Sequence, residues 1–341
     1  MDASRPRRPT LADVAALAGT STAVVSYVVN DGPRAVSAVT KERVEQAIAE
    51  LGYRRNALAG ALSAGRADLI GLLVPDSANA FFSELARHLE GAARQRGLLT
   101  LLGNTGYSVS AERDYLHTFS DLRPRGIVIA TISDSPELAI DCPRVYVHSA
   151  PAETASPSVV IDDEDSAAVA VRHLIDHGHT AVHCITGPTD FGPAGRREAG
   201  WRRAMRAAGY DTTGLVHPMP FDRLGAEEAT TALFNSPSPP SAIFAATDEQ
   251  AIGVLRAAAL CGLRVPEDVA IIGFDGIREA LAGSTRLTTV AVPLAELAAV
   301  VLDALDGGAP AAHVLHATLS IGETCGSHAD DGSPIARPTS G

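Results

Sequence analysis

TLADVAALAGTSTAVVSYVVNDGPRAVSAVTKERVEQAIAELGY, residues 10–53, is the stretch on which the fold turns. Thr10 stands where a helix N-cap belongs, directly before LADVAALAG. In that segment Leu11, Val14, Ala15 and Ala18 fall on one helical face. Gly19 ends the helix and permits the positive φ of a tight turn. Ser21 can cap a second helix, whose Val25 and Val28 point back at Val14 and Ala18. Asn30-Asp31-Gly32-Pro33 breaks the chain. Ser37 then caps a third helix running through Glu50, with Val44, Ala47, Ile48 and Leu51 inward, and Gly52 stops it. Two short helices across a glycine turn, buttressed by a third, form a unit that can lay one helix in a DNA major groove.

Outward from this head the pattern changes. Residues 54–66 are small, basic and weakly amphipathic. From Leu69 to about Leu319, apolar runs with strand character alternate with amphipathic helical stretches. LIGLLVP (69–75), GIVIAT (126–131), RVYVH (144–148), AVHCIT (181–186), AIFAAT (242–247) and VAIIGF (269–274) are the clearest runs. FFSELARHLEGAARQRG and DEQAIGVLRAAALCG are typical of what lies between. This alternation predicts parallel sheets covered by helices on both faces, in two Rossmann-like lobes. Polar residues 326–341 read as a disordered tail. Charge follows the same division. Residues 1–66 carry a net +3, and the remaining chain carries −15 of the overall −12. A basic head on an acidic body meets phosphate with one end only.

The block TLADVAALAGTSTAVVSYVVNDGPRAVSAVTKERVEQAIAELGYRRNALAGALSAGRADLIGLLVPD resembles the LacI/GalR family of bacterial transcriptional regulators. Later matches are Gly178-His179, the RxxG of Arg197–Gly200, GLRVPEDVAIIGFDG (262–276) and LTTVAVPLAEL (287–297). The resemblance implies a helix-turn-helix head over 1–53, a hinge over 54–66 and a two-lobed effector-binding and dimerisation domain of periplasmic-binding-protein type over 67–325. The expected N-lobe is about 67–162 with 291–320, and the C-lobe about 163–290 with 321–325.

The resemblance also implies roles. Thr22, Ala23 and Tyr27 take groove-facing positions of the recognition helix. Ser21, Ser26, Asn30, Arg34, Thr40 and Tyr53 suit phosphate contact, with Thr10, Leu11 and Asn56 as further DNA contacts. Residues 56–65 match a hinge helix, too short to be stable alone and weakened by Gly60. Its Leu62 matches a wedge that opens a minor-groove step. One head reads few base pairs, so a homodimer on a pseudo-palindromic operator in double-stranded DNA follows. Three crossovers, near 161–164, 289–293 and about 320, make a cleft between the lobes for a small-molecule effector, a sugar or related metabolite. Candidates to line it are Asn79, Phe81, His148, Arg197, Phe221, Thr247, Asp248 and Asp275. Asp248 and Asp275 read equally as helix caps or turn residues, and Phe82 and Trp201 read as core.

Other classes receive little support. No apolar run reaches the ~18 residues of a bilayer span. The start, MDASRPRRPT, has no apolar segment behind its arginines, as a secretory signal requires. Cys142, Cys184, Cys261 and Cys325 form no CxxC pair and read as reduced thiols of a cytoplasmic protein. His173, His177, His179 and His183 look like a metal site, but two of them flank a helix stop at Gly178 and no acid or cysteine completes a set, so no metal is expected. No P-loop, HExxH or GxSxG occurs, so neither catalysis nor a cofactor is expected. The alternative function is a cytoplasmic sugar-binding or sugar-processing protein on the same α/β scaffold.

Overall fold

The computed structural model describes residues 9–29, 35–53, 66–131, 138–151, 154–188, 192–307 and 312–326. The expectations on Asn30, Arg34, Asn56, Leu62, the hinge and the tail from 327 onward lie outside them. The chain divides into two compact units at Ala67/Asp68.

In the first unit, α1 (Leu11–Leu17) starts on a full capping box. Thr10 Oγ1 accepts from the backbone N–H of Asp13, and Asp13 Oδ2 accepts from that of Thr10 at 2.7 Å. Gly19 takes φ +63°, and the chain turns by 106° into α2 (Thr22–Val29). Ser21 Oγ accepts from Val24 N at the start of α2. α3 (Ala38–Leu51) is capped by Ser37 and ends at Gly52 with φ +61°. Val14, Ala15, Ala18, Val25, Val44 and Ala47 are buried together, with Leu11, Val28, Ile48, Leu51 and Tyr53 packed around them. The apolar face read from the sequence is therefore the face that closes the bundle.

The second unit holds two six-stranded sheets. In the first, β1 (Leu69–Val74), β2 (Leu99–Asn104), β3 (Gly126–Ala130), β4 (Arg144–Val147), β5 (Ser158–Ile161) and β11 (Ala312–Leu315) lie parallel in the order β11-β5-β4-β3-β1-β2. In the second, β6 (Val182–Thr186), β7 (Val216–Pro218), β8 (Ala242–Ala245), β9 (Ala270–Asp275) and β10 (Thr288–Ala291) are parallel. β12 (Thr318–Ser320) pairs antiparallel with β10 at one edge. Strands such as β3 and β9 are buried along their whole length, as helices on both faces require.

The helices between strands are α4 (Ala80–Gln95), α5 (Val109–Asp121), α6 (Asp163–Asp176), α7 (Gly192–Ala207), α8 (Arg223–Phe234), α9 (Asp248–Leu260), α10 (Arg278–Ala282) and α11 (Leu294–Leu305). α4 turns Phe81, Phe82, Leu85, Leu89 and Ala93 inward, the i, i+4 stripe of an amphipathic helix. α6 and α7 approach closely at Gly200, where a Cβ would stand 2.1 Å from the Glu164 carbonyl oxygen. That contact explains why the RxxG segment ends in glycine. Trp201, one residue on, is fully buried and donates from Nε1 to the Val182 carbonyl at 2.9 Å.

The chain passes between sheets after β5, after β10 and after β11. The third crossing falls at His316–Ala317 rather than near 320, so Thr318–Ser320 belong to the second lobe. The pairing of β12 with β10 fixes this boundary, and three residues of antiparallel edge strand leave no periodicity to read. Asp162 ties two crossings together, its Oδ1 accepting from Ala317 N and its Oδ2 facing His316 Nδ1 at 2.7 Å.

Candidate functional site

Two surfaces carry the chemistry, one in each unit. In the head, Ser21, Thr22 and Ala23 are exposed at the start of α2, and Ser26 and Tyr27 are half-buried on the following turn. Helix N-terminal residues of the second helix are those that such a unit presents to base edges. Thr10 is exposed but spends its hydroxyl on the cap of α1. Thr40 is half-buried and its Oγ1 meets Ser37 Oγ at 2.8 Å. Leu11 and Tyr53 pack against the head core, so only part of each side chain faces outward.

In the large unit a cavity opens between the lobes, at the carboxyl ends of the parallel strands, where open α/β sheets place ligands. Asn79, Phe81, Phe82, Tyr107 and His148 line it from the first lobe. Gly192, Pro193, Ala194, Arg197, Phe221, Thr247 and Asp275 line it from the second. The lobes stand close, leaving ≈ 60 Å³ for the centres of water molecules. The strands set each position: Thr247 and its neighbours follow β8, His148 follows β4 and Asp275 ends β9.

Arg197 forms the floor and is 2% exposed. Its Nε donates to Asp163 Oδ1 at 2.8 Å, and its Nη1 donates to Asp275 Oδ1 at 3.0 Å and to the Ala246 carbonyl at 2.7 Å. Its guanidinium carbon sits 3.7 Å above the centre of the Phe274 ring. A buried cation is tolerable only with such partners. Arg196, the preceding residue, also holds Asp163, at 2.8 Å, and reaches the other lobe to donate to the His148 carbonyl at 2.9 Å. Burial pushes the Asp275 carboxyl up to about 7, against the opposing pull of Arg197.

His148 packs against both Phe81 and Phe82, with ring centres 5.2 and 5.3 Å away. Burial, then the charges of Arg197 and Arg196, hold its imidazole well below the usual range, so the ring is neutral. Burial beside Asp76, Asp222 and Glu249 pushes the Tyr107 hydroxyl up to about 12. Three cavity residues take backbone conformations that L side chains rarely adopt: Tyr107 at φ +59°, His148 at +68° and Asp275 at +119°. Such strain gathers where the surroundings over-determine a site. Phe221 fits only because residue 187 is glycine, whose Cβ would lie 2.1 Å from the ring.

Seven of the sequence candidates thus meet in one cavity: Asn79, Phe81, His148, Arg197, Phe221, Thr247 and Asp275. Asp248 does not. It is fully buried, and its Oδ2 accepts from Gly276 N at 2.8 Å and Ile277 N at 2.9 Å, while Oδ1 accepts from Thr289 Oγ1 at 2.6 Å. It holds the turn after β9 and does not line the cavity. Phe82 is both core and wall. Sequence reasoning missed Tyr107, whose only signal was its place just after β2, and the ion pairs of Asp163 with Arg196 and Arg197. His183 faces His217 at 2.8 Å, whereas His173 lies beside His177, ring centres 4.6 Å apart, and faces Cys325 at 3.3 Å. Among the described residues, no three acidic, His or Cys side chains stand in position to hold a metal ion. No single described helix is long and apolar enough to cross a membrane.

Residues 10–56 match the family model described as "Bacterial regulatory proteins, lacI family", and residues 171–325 match that of the periplasmic binding protein-like domain. The ribose operon repressor of Escherichia coli K12 is 36% identical over 308 residues, covering 87% of this chain and 92% of its own. This chain belongs to the lacI family. The PurR transcriptional repressor of Vibrio vulnificus is another relative, 32% identical over 291 residues, with 83% and 87% covered. Among solved structures, the lac repressor dimer bound to operator and an anti-inducer superposes with a TM-score of 0.82 at 26% identity, covering 94% of this chain and 99% of that one. The lacI-family relatives are named as transcriptional repressors, and both units of this chain take part in the likeness.

Proposed function

We propose that this chain is a cytoplasmic, homodimeric repressor whose grip on a specific operator is set by a small metabolite, a sugar or a related compound, held between its lobes. Two heads related by a two-fold axis would read the halves of a pseudo-palindrome, with Thr22, Ala23 and Tyr27 at base edges and Ser21, Ser26 and Thr40 at phosphate. The observation that carries this reading is the joining of two features in one chain. A 106° helix-turn-helix exposes the start of α2, and a separate unit closes a strained, arginine-floored cavity between two sheets. A ligand that prefers one lobe arrangement shifts its population, and a coupling of ~1–3 kcal/mol alters operator affinity about 5–150-fold.

The test is a binding titration of the full chain against duplexes from upstream of its own and neighbouring genes, at fixed salt, with and without a metabolite panel. One duplex should bind at least about 10³-fold more tightly than bulk DNA, and one metabolite should change that affinity. Deleting residues 1–53 should abolish duplex binding and spare metabolite binding. A chain that treats all duplexes alike, or that acts fully without residues 1–53, is something else.

A further inference from the structure

The hydrogen-bonding stock of the cavity wall is lopsided, and the imbalance selects a ligand class. A polar atom counts toward a ligand only where the fold has not used it. Thr247 Oγ1 is used by Gln250, accepting from its N–H and bonding its Oε1, both at 3.2 Å. Asn79 Oδ1 accepts from Phe81 N at 3.0 Å, and Asp275 Oδ1 accepts from Arg197. What is left is mostly donors. Asn79 Nδ2 and Arg197 Nη2 each carry two N–H groups and make no hydrogen bond among the described residues. The neutral His148 ring adds one N–H and one lone pair. Against these stand the Asp275 carboxyl, already engaged by Arg197 and by the backbone of Asp248, and a set of carbon-rich rings.

A neutral sugar suits this wall poorly. Its hydroxyls all donate as well as accept, so it brings the surplus N–H groups no partner that only accepts, whereas a sugar acid keeps the hydroxyls and adds one; a buried donor left unmet costs ~1–3 kcal/mol. A carboxylate only accepts, at about four lone-pair positions. Resting on the reading of the cleft as an effector site, we propose that the effector is a sugar acid, its carboxylate received by Arg197 Nη2 and Asn79 Nδ2, and that His148 sets the preference for acid over neutral sugar. An uncharged ring at 148 leaves the first-lobe wall without a carboxylate to repel the ligand's own. At the floor Arg196 and Arg197 stand against Asp163 and Asp275, and of the carboxylates beside Tyr107, Glu249 is paired with Arg223 while Asp222 and Asp76 accept from the backbone N–H groups of Gly225 and Ala78.

The experiment is isothermal titration of the full chain with matched sets: glucose, gluconate and glucuronate, and ribose and ribonate. One acid should bind about tenfold or more tightly than its neutral parent, the equivalent of ~1.4 kcal/mol. His148→Asp should reverse that order, and aspartate tolerates the positive φ at this position. His148→Asn, which keeps the wall uncharged, should retain it and serves if the aspartate variant fails to fold. A neutral sugar that binds wild type as tightly as its acid overturns the proposal, as does an acid preference that survives His148→Asp or is lost in His148→Asn. Binding of a nucleobase such as hypoxanthine, with no acid bound, sinks the sugar-acid assignment and leaves the effector site standing. If no compound of any class binds and none alters operator affinity, the effector reading falls with it.

Discussion

Arg197→Ala removes more than the proposed ligand contact. It deletes the bonds to Asp163, Asp275 and the Ala246 carbonyl, and lifts a cation off the Phe274 face. Removing one partner from a buried ion pair costs ~3–5 kcal/mol, because the abandoned charge stays buried. Two features soften the loss. Asp163 keeps Arg196 at 2.8 Å, and Asp275, already pushed up to about 7, can take a proton. The unmet Ala246 carbonyl adds ~1–3 kcal/mol in the other direction. These terms overlap, so the expected loss is about 4 kcal/mol, or ~8–12 °C in Tm for a domain of this size. The assay is thermal and urea unfolding of the full chain followed by far-ultraviolet circular dichroism. Arg203→Ala is the control: Arg203 is half-exposed on the same helix, paired to Asp165 and Glu164, and should change Tm by no more than ~2 °C. An Arg197→Ala protein that melts within ~2 °C of wild type would refute the argument that Arg197 is a structural cation. Loss of ligand binding in this variant therefore does not by itself assign the pocket, whereas His148→Asp tests it without dismantling the floor.

Gly200→Ala should cost ~2 kcal/mol or more by forcing α6 and α7 apart, read as a lowered urea midpoint. Thr10→Ala breaks the capping box of α1 and should destabilise the head by ~1 kcal/mol, seen as faster amide exchange over residues 11–29 with the large unit unchanged. Asp275 has a folded pKa raised above its unfolded value, so its contribution to stability is full below about pH 4 and declines as pH rises through about 7. The groups around it are Arg197, Asp163, Asp248 and His148, and Asp275→Asn should flatten that part of the stability–pH profile, as a urea-midpoint series from pH 4 to 8 would show.

The head was legible because its determinants are local. Thr10, Gly19, Ser21, Ser37 and Gly52 lie within a turn of the elements they begin or end, and a 3.6-residue stripe needs no distant partner. Six strands, β1, β3, β4, β6, β8 and β9, were legible because burial writes itself as apolar runs, whereas β2, mostly exposed, carries no such run. The cavity was legible only as strand ends, through the family likeness. Position at a strand end does not tell which way a carboxylate turns. Asp275 faces the cavity while Asp248, under the Gly276–Ile277 turn, faces away, and both follow an apolar run. Asp163 escaped notice because its partners stand 33 and 34 residues along the chain, beyond any helical or strand period.

Arg196 and Arg197 are consecutive, so their side chains leave α7 about 100° apart. One stays within its own lobe as the floor; the other crosses to the opposite lobe and grips a main-chain oxygen. Any rocking of the lobes must therefore either let go of that oxygen or carry His148 along, from a backbone conformation with little room to yield. A molecule entering the cleft disturbs the latch and the floor together, because a single turn of helix supplies both.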